Sequence, residues 1–173
     1  MPRRWPDLLL VVLMLAGLAA QPAMAGGRVI LPDSRDKIAT LLSAGHNKAL
    51  VIGISEYKHG AWAALDGVPE EITRIKAAFE RHDFEVSVRD GSTLTKQGLT
   101  EAVQSFLREN GGDARNRLVV YIATHGYGRE EQGRQKGYII ANDTLPPDDP
   151  GFAASAYSVD ELSADLNAGV EAQ

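Results

Sequence analysis

The chain predicts an open, mostly parallel α/β sheet with helices on both faces. Two observations carry this. Ala49–Ile54 and Leu118–Thr124 are continuous apolar runs of strand length, the pattern of strands buried on both faces. The stretches around them alternate in period, giving the order strand, helix, strand, helix, strand, strand, helix.

The elements follow in chain order. Residues 26–47 are mixed and polar, and read as a lead-in with a short helix over 37–43. Ala49-Leu50-Val51-Ile52-Gly53-Ile54 is the first strand, and Ser55 to Val68 a loop rich in Gly, His and aromatic residues. Pro69-Glu70-Glu71 opens a helix over roughly 69–81. Proline suits the first turn and acids suit the positive dipole end. Ile72, Ile75 and Phe79 follow at helical spacing.

Phe84–Val88 alternates and forms a second strand. Thr95 caps the next helix, which runs through Arg108 with Leu99, Val103, Phe106 and Leu107 on one face. Asn110-Gly111-Gly112 ends it. Arg117–Thr124 is the third and most apolar strand. Gly126 to Gly137 is glycine-rich and charged, and Gly137–Ala141 is a short fourth strand. Asn142 to Pro150 holds three prolines and is loop. Ser158 caps a last helix, with Glu161 closing a capping box.

Residues 1–25 read as a secretory leader. Arg3 and Arg4 precede an uncharged apolar run, Leu8 to Ala20, and Ala23-Met24-Ala25 supplies small residues for cleavage before Gly26. The run is shorter than the ~20 residues that span a bilayer. The alternative is an uncleaved signal anchor. Cleavage removes Arg3, Arg4 and Asp7, so the remainder is one unit more acidic and is expected to be exported, periplasmic or secreted, without a stable membrane span. The expected division is leader 1–25, lead-in 26–47 and one domain over 48–173.

Composition excludes several classes. The chain is 173 residues long, 44% hydrophobic, carries a formal charge of −5 and has no cysteine. It is globular rather than disordered, and too acidic for an ordinary nucleic-acid-binding domain. No disulfide, thiolate zinc site or thiol nucleophile can come from these residues. No internal repeat and neither glycine-rich phosphate fingerprint is present. No histidine pair has the spacing of a helical metal site, so no metal and no cofactor is expected.

Ligands of such sheets bind beyond the carboxyl ends of the strands. Two stretches lie there, Ser55-Glu56-Tyr57 and Thr124-His125-Gly126-Tyr127-Gly128. A histidine so placed suits acid–base work, and the next glycine leaves a backbone N–H open to an oxyanion. The plainer reading is a histidine that merely ends a strand. His46, His59 and His82 read as surface residues, and Glu130, Glu131, Asp148 and Asp149 as solvated loop charges.

Lys48–Tyr57, Leu65-Asp66-Gly67, His82–Val86, the strand into His125-Gly126, Gly137–Asp143 and Ser158–Leu162 occur in an order and spacing that resembles the large-subunit region of caspase-like peptidases, especially the metacaspase-like bacterial branch. The resemblance runs from Lys48 to Leu166. It implies a caspase–hemoglobinase fold and peptide-bond hydrolysis by a Cys–His dyad, with protein or peptide substrates. His125 would match the catalytic histidine and the Gly126 N–H one half of the oxyanion hole. The family's cysteine ends the strand after the last helix, in a motif like Asp-[Ala/Ser]-Cys. No such residue occurs here, so the chain reads as truncated before its nucleophile. Ser155 and Ser158 precede the last helix and are poor substitutes.

The resemblance also bears on specificity. Aspartate-specific relatives use an arginine after strand one, and here only Lys58 is present. The basic-specific branch carries an acid near the first helix start. Glu70 or Glu71 falls there, Glu71 the better placed, and an acid favours a Lys or Arg side chain in the substrate. The alternative is an acid that serves only the helix dipole. Tyr57 is the other expected substrate contact.

The leading expectation is therefore an exported caspase-like cysteine peptidase whose nucleophile lies outside this chain. The runner-up is a non-catalytic caspase-like module that binds peptides or partner proteins, and the third an unrelated doubly wound ligand-binding domain. A sheet lacking its next strand leaves an apolar edge, so aggregation, a second copy or a missing C-terminal segment is expected to cover it.

Overall fold

A computed structural model describes residues 9–15, 46–91, 94–113 and 115–171. The expected helix over 37–43 and the cleavage site at Ala25 lie outside the described residues. The larger sheet has four strands in the order β1-β4-β2-β3. Its centre is β2 (Asn47–Gly53), parallel to β3 (Phe84–Asp90) on one side and to β4 (Arg117–Thr124) on the other. Asn47 pairs with Phe84 and with Arg117, so the three strands start level.

This order dictates where the helices go. The chain leaves β2 for β3 through α1 (Val68–Glu80), then returns past β2 to β4 through α2 (Lys96–Asn110). Parallel crossovers are right-handed, so crossovers in opposite directions put their helices on opposite faces. Val51, Tyr121 and Ala123 accordingly pack with Ile72, Ile75 and Phe79 of α1. Leu50, Ile52, Leu118, Val120 and Ile122 pack with Leu99, Val103, Phe106 and Leu107 of α2, and with Leu162 and Leu166 of α4 (Val159–Glu171). The uninterrupted apolar runs of β2 and β4 follow from burial on both faces. Full burial of each such side chain contributes about 1.5–3 kcal/mol.

The expected caps form. Thr95 accepts from the Gly98 amide at 3.1 Å. The Ser158 hydroxyl accepts from the Glu161 amide at 3.1 Å, and the Glu161 carboxylate accepts from the Ser158 amide at 2.8 Å. Gly111 stands at the end of α2, its amide donating to Leu107 O.

Two segments differ from the sequence expectation. The charged stretch after His125 is a hairpin, β5 (Gly126–Glu131) and β6 (Arg134–Ile139). It turns through Gln132 and Gly133 at φ 52° and 75°, the mirror-image turn that matches strand twist. The fourth strand therefore starts at Arg134 and joins not the main sheet but a second, antiparallel one, β5-β6-β7, with β7 at Tyr157–Ser158. A four-residue helix α3 (Phe152–Ser155) precedes β7. Arg129 faces Lys136 across the hairpin, and Glu131 relieves that pairing by lying 3.0 Å from Arg129 Nε and 3.2 Å from Lys136 Nζ.

The second difference is β1 (Leu9–Leu15). It belongs to the segment read as a leader outside the fold, yet here it lies antiparallel along β4, from Leu9 opposite Thr124 to Leu15 opposite Leu118. The cause is the edge itself: without β1, a buried strand would present unpaired backbone groups on one side.

Candidate active site at the strand switch point

The topology puts the switch point between β2 and β4, where successive crossovers run in opposite directions. The carboxyl ends of these strands are where an open α/β sheet holds ligands. Tyr57 follows β2 and His125 follows β4, so the structure brings both to this point.

His125 is 8% exposed. Its Nε2 lies 2.7 Å from the carbonyl oxygen of Ala63. A carbonyl only accepts, so Nε2 carries a hydrogen toward it. The Tyr57 ring lies 5.0 Å and the Trp62 ring 6.0 Å from the imidazole, centre to centre.

The Ala63 carbonyl is held by a stapled loop. Leu65 N donates to Ser55 O at 2.9 Å, Lys58 N to Asn142 O at 2.8 Å, and Asn142 Nδ2 to Glu56 O at 2.8 Å. Trp62 Nε1 donates to Thr144 O at 3.0 Å. The loop after β2 is thus tied to the one after β6, and the partner of the imidazole is set before any ligand arrives.

Gly126 opens β5 opposite Ile139. The Ile140 amide donates to His125 O at 3.0 Å, which makes Gly126–Ile139 the pair between ladder bonds. In such a pair the N–H points away from the partner strand, here away from β6. The Tyr57 hydroxyl is engaged by protein: Ile54 O at 2.8 Å, Thr124 Oγ1 at 2.9 Å and His125 N at 3.2 Å. Burial pushes its pKa up, while the bonds with Thr124 and His125 pull it down.

Glu71 has its contact elsewhere. Its Oε1 accepts from the Tyr121 hydroxyl on the face covered by α1. Burial first, then Glu71, push the Tyr121 pKa up. The two serines have structural partners. Ser155 Oγ donates to Phe152 O and accepts from Leu145 N, and Ser158 caps α4. Sequence reasoning did not find the Ala63 carbonyl, Trp62 or Asn142, nor the contacts that Thr124 makes. A main-chain oxygen carries no side-chain signal, and the others act through contacts 67 to 86 residues apart in sequence.

Among the described residues no cluster of three or more His, Asp and Glu side chains could hold a metal ion. No described helix is long and apolar enough to cross a membrane. A family model described as the caspase domain matches residues 46–169. A search of curated proteins found no match.

Proposed function

The chain belongs to the caspase domain family, and on that premise we propose that it carries the histidine half of a cysteine-type endopeptidase centre, with His125 as its general base and acid. The observation that supports this is the place of His125 at the carboxyl end of β4, with its ring oriented by the bond from Nε2 to Ala63 O at 2.7 Å. In the proposed reaction the His125 imidazole accepts the proton of a thiol, and the thiolate attacks the peptide carbonyl carbon. The Gly126 N–H donates to the oxyanion that forms. The imidazolium then protonates the leaving amine, and a water molecule releases the acyl group. The attacking thiol comes from outside these 173 residues, which contain no cysteine.

The cysteine count favours a second reading, a non-catalytic caspase-like module that binds peptides or partner proteins. One experiment separates the two. The transcript is read beyond codon 173, and the encoded polypeptide is assayed on fluorogenic peptides with and without His125→Ala and a thiol alkylator. Hydrolysis abolished by both supports the peptidase. A message that encodes no further cysteine leaves the binding module. Hydrolysis that survives His125→Ala removes the assigned role.

Glu71 bonds to Tyr121, so the proposal assigns it no selectivity for basic side chains. Export through residues 1–25 is part of the same proposal. It is supported by the paired arginines, the apolar run and the small residues at Ala23 and Ala25. Mass analysis of protein recovered from periplasm or medium tests it, a mature N-terminus at Gly26 being the expected result.

A further inference from the structure

The last direct bond between the ends of β2 and β4 runs from Ile54 N to Ala123 O at 2.9 Å. A parallel ladder would continue with His125 N–H donating to Ile54 O. It does not. The Tyr57 hydroxyl stands between these two groups, accepting from His125 N at 3.2 Å and lying 2.8 Å from Ile54 O.

Counting protons orients the bridge. Thr124 Oγ1 lies 2.6 Å from Ile140 O, which can only accept, so the threonine proton goes there. Toward Tyr57 the threonine oxygen is therefore an acceptor. The single phenolic proton is shared between Ile54 O and Thr124 Oγ1, while an oxygen lone pair takes the His125 N–H. The hydroxyl thus replaces one ladder rung with a longer, two-step one, N–H to O–H to O=C.

We infer that Tyr57 is a positioning residue: its hydroxyl intercepts this rung, holds the ends of β2 and β4 apart and so sets the His125 imidazole on the Ala63 carbonyl. His125 is then held through both its main chain and its ring. Its amide meets Tyr57, its carbonyl accepts from Ile140 N at 3.0 Å, and Nε2 meets Ala63 O at 2.7 Å. Without the hydroxyl, His125 N–H can close directly on Ile54 O, which draws residue 125 toward β2 and the ring off Ala63. This deepens the reading of His125 given above and rests on it for any catalytic consequence.

The test is nuclear magnetic resonance on the whole chain, wild type against Tyr57→Phe, with thermal melting as the control for folding. Wild type should show the Nε2–H tautomer of His125 and no scalar coupling between His125 N and the Ile54 carbonyl carbon. Tyr57→Phe should melt cooperatively, gain that coupling and exchange the Nε2 hydrogen with solvent about tenfold faster, as expected for one lost hydrogen bond. An unchanged tautomer and exchange rate in Tyr57→Phe would overturn the inference. If that variant does not fold, the wild-type coupling decides alone: a direct His125–Ile54 coupling excludes the bridge, and its absence together with a slowly exchanging Tyr57 hydroxyl proton upholds it. None of these readouts involves peptide hydrolysis, so failure here and failure of the peptidase reading are distinguishable.

Discussion

The Tyr157 hydroxyl donates to Asp165 Oδ2 at 2.5 Å, and the other oxygen of that carboxylate accepts from Gln104 Nε2 at 2.9 Å. One carboxylate thereby joins β7, α4 and α2 beside the core. Tyr157→Phe keeps the buried ring and removes only the charge-assisted bond. The expected loss is about 1.5–3 kcal/mol. It should appear as a lower urea midpoint with an unchanged slope. An unshifted midpoint would show that the bond contributes nothing net.

Alkaline stability follows from the same group and two others. Burial first, and a facing carboxylate second, raise the pKa of Tyr157 (Asp165), Tyr121 (Glu71) and Tyr138 (Glu131). A raised pKa on an acid means that the fold favours the neutral phenol. This stabilisation is complete below the ordinary tyrosine value of 10.0 and is lost as the pH rises above it. Melting temperature should therefore fall above about pH 10. Tyr157→Phe should make that fall shallower, and equal slopes in the two proteins would count against the account.

How much of this was legible in the sequence depended on whether the controlling chemistry was local. The Thr95 cap, the Ser158–Glu161 box and the run Arg117–Thr124 were readable because neighbouring residues decide them. The β5–β6 hairpin was not. Its turn is Gln132-Gly133 rather than the usual Asn-Gly, and the residues next to that turn, Arg129-Glu130-Glu131 and Arg134-Gln135-Lys136, are charged or polar without apolar alternation. His125 was legible as a histidine ending a buried strand. Its setting was not, because a main-chain oxygen of Ala63 and the Tyr57 hydroxyl supply it from across the switch point. Glu71 looked like a site acid because it opens a helix, and only the packing of α1 on β4 brings it to Tyr121.

Acid stability has the opposite sign. Burial raises the Glu161 pKa, but the Ser158 amide, the Lys96 ammonium and the Ser158 hydroxyl together hold it below the ordinary value. The Tyr138 hydroxyl and Lys136 hold Glu131 below it too. Their stabilisation is present above the ordinary glutamate value of 4.5 and is lost as the pH falls through the lower native values. Glu161→Gln should flatten the acid limb of a melting-temperature profile. A limb as steep as that of wild type would assign the acid sensitivity to other carboxylates.

Close packing of α1 on β2 depends on Gly53. A Cβ there would lie 2.5 Å from Ile72 Cγ1 and 2.8 Å from Val68 Cγ1. Gly53→Ala must push the helix outward or force off-rotamer side chains, at about 1–3 kcal/mol. Gly60 is the control, since a Cβ there meets nothing within 4 Å. Chemical denaturation of the two variants should separate them clearly. Equal stability would mean that α1 can shift at little cost.

The edge of β4 carries the last prediction. In the full chain Leu9–Leu15 pairs with it along seven positions. Removal of residues 1–25, as the export proposal requires, uncovers a strand whose residues Leu118 to Thr124 are all buried in the full chain. Such an edge seeks another strand. β4 can pair antiparallel with a second copy of itself about a twofold axis, which sets Val120 opposite Tyr121 and Leu118 opposite Ala123, with no like charges facing. Residues 26–173 should therefore associate with rising concentration in sedimentation velocity, while the full chain, whose edge is covered, should not. Adding a synthetic peptide of residues 8–16 should compete with that association. A shortened chain that stays monomeric and melts cooperatively would show that the β4 edge is harmless when bare, and that β1 is not needed to cover it.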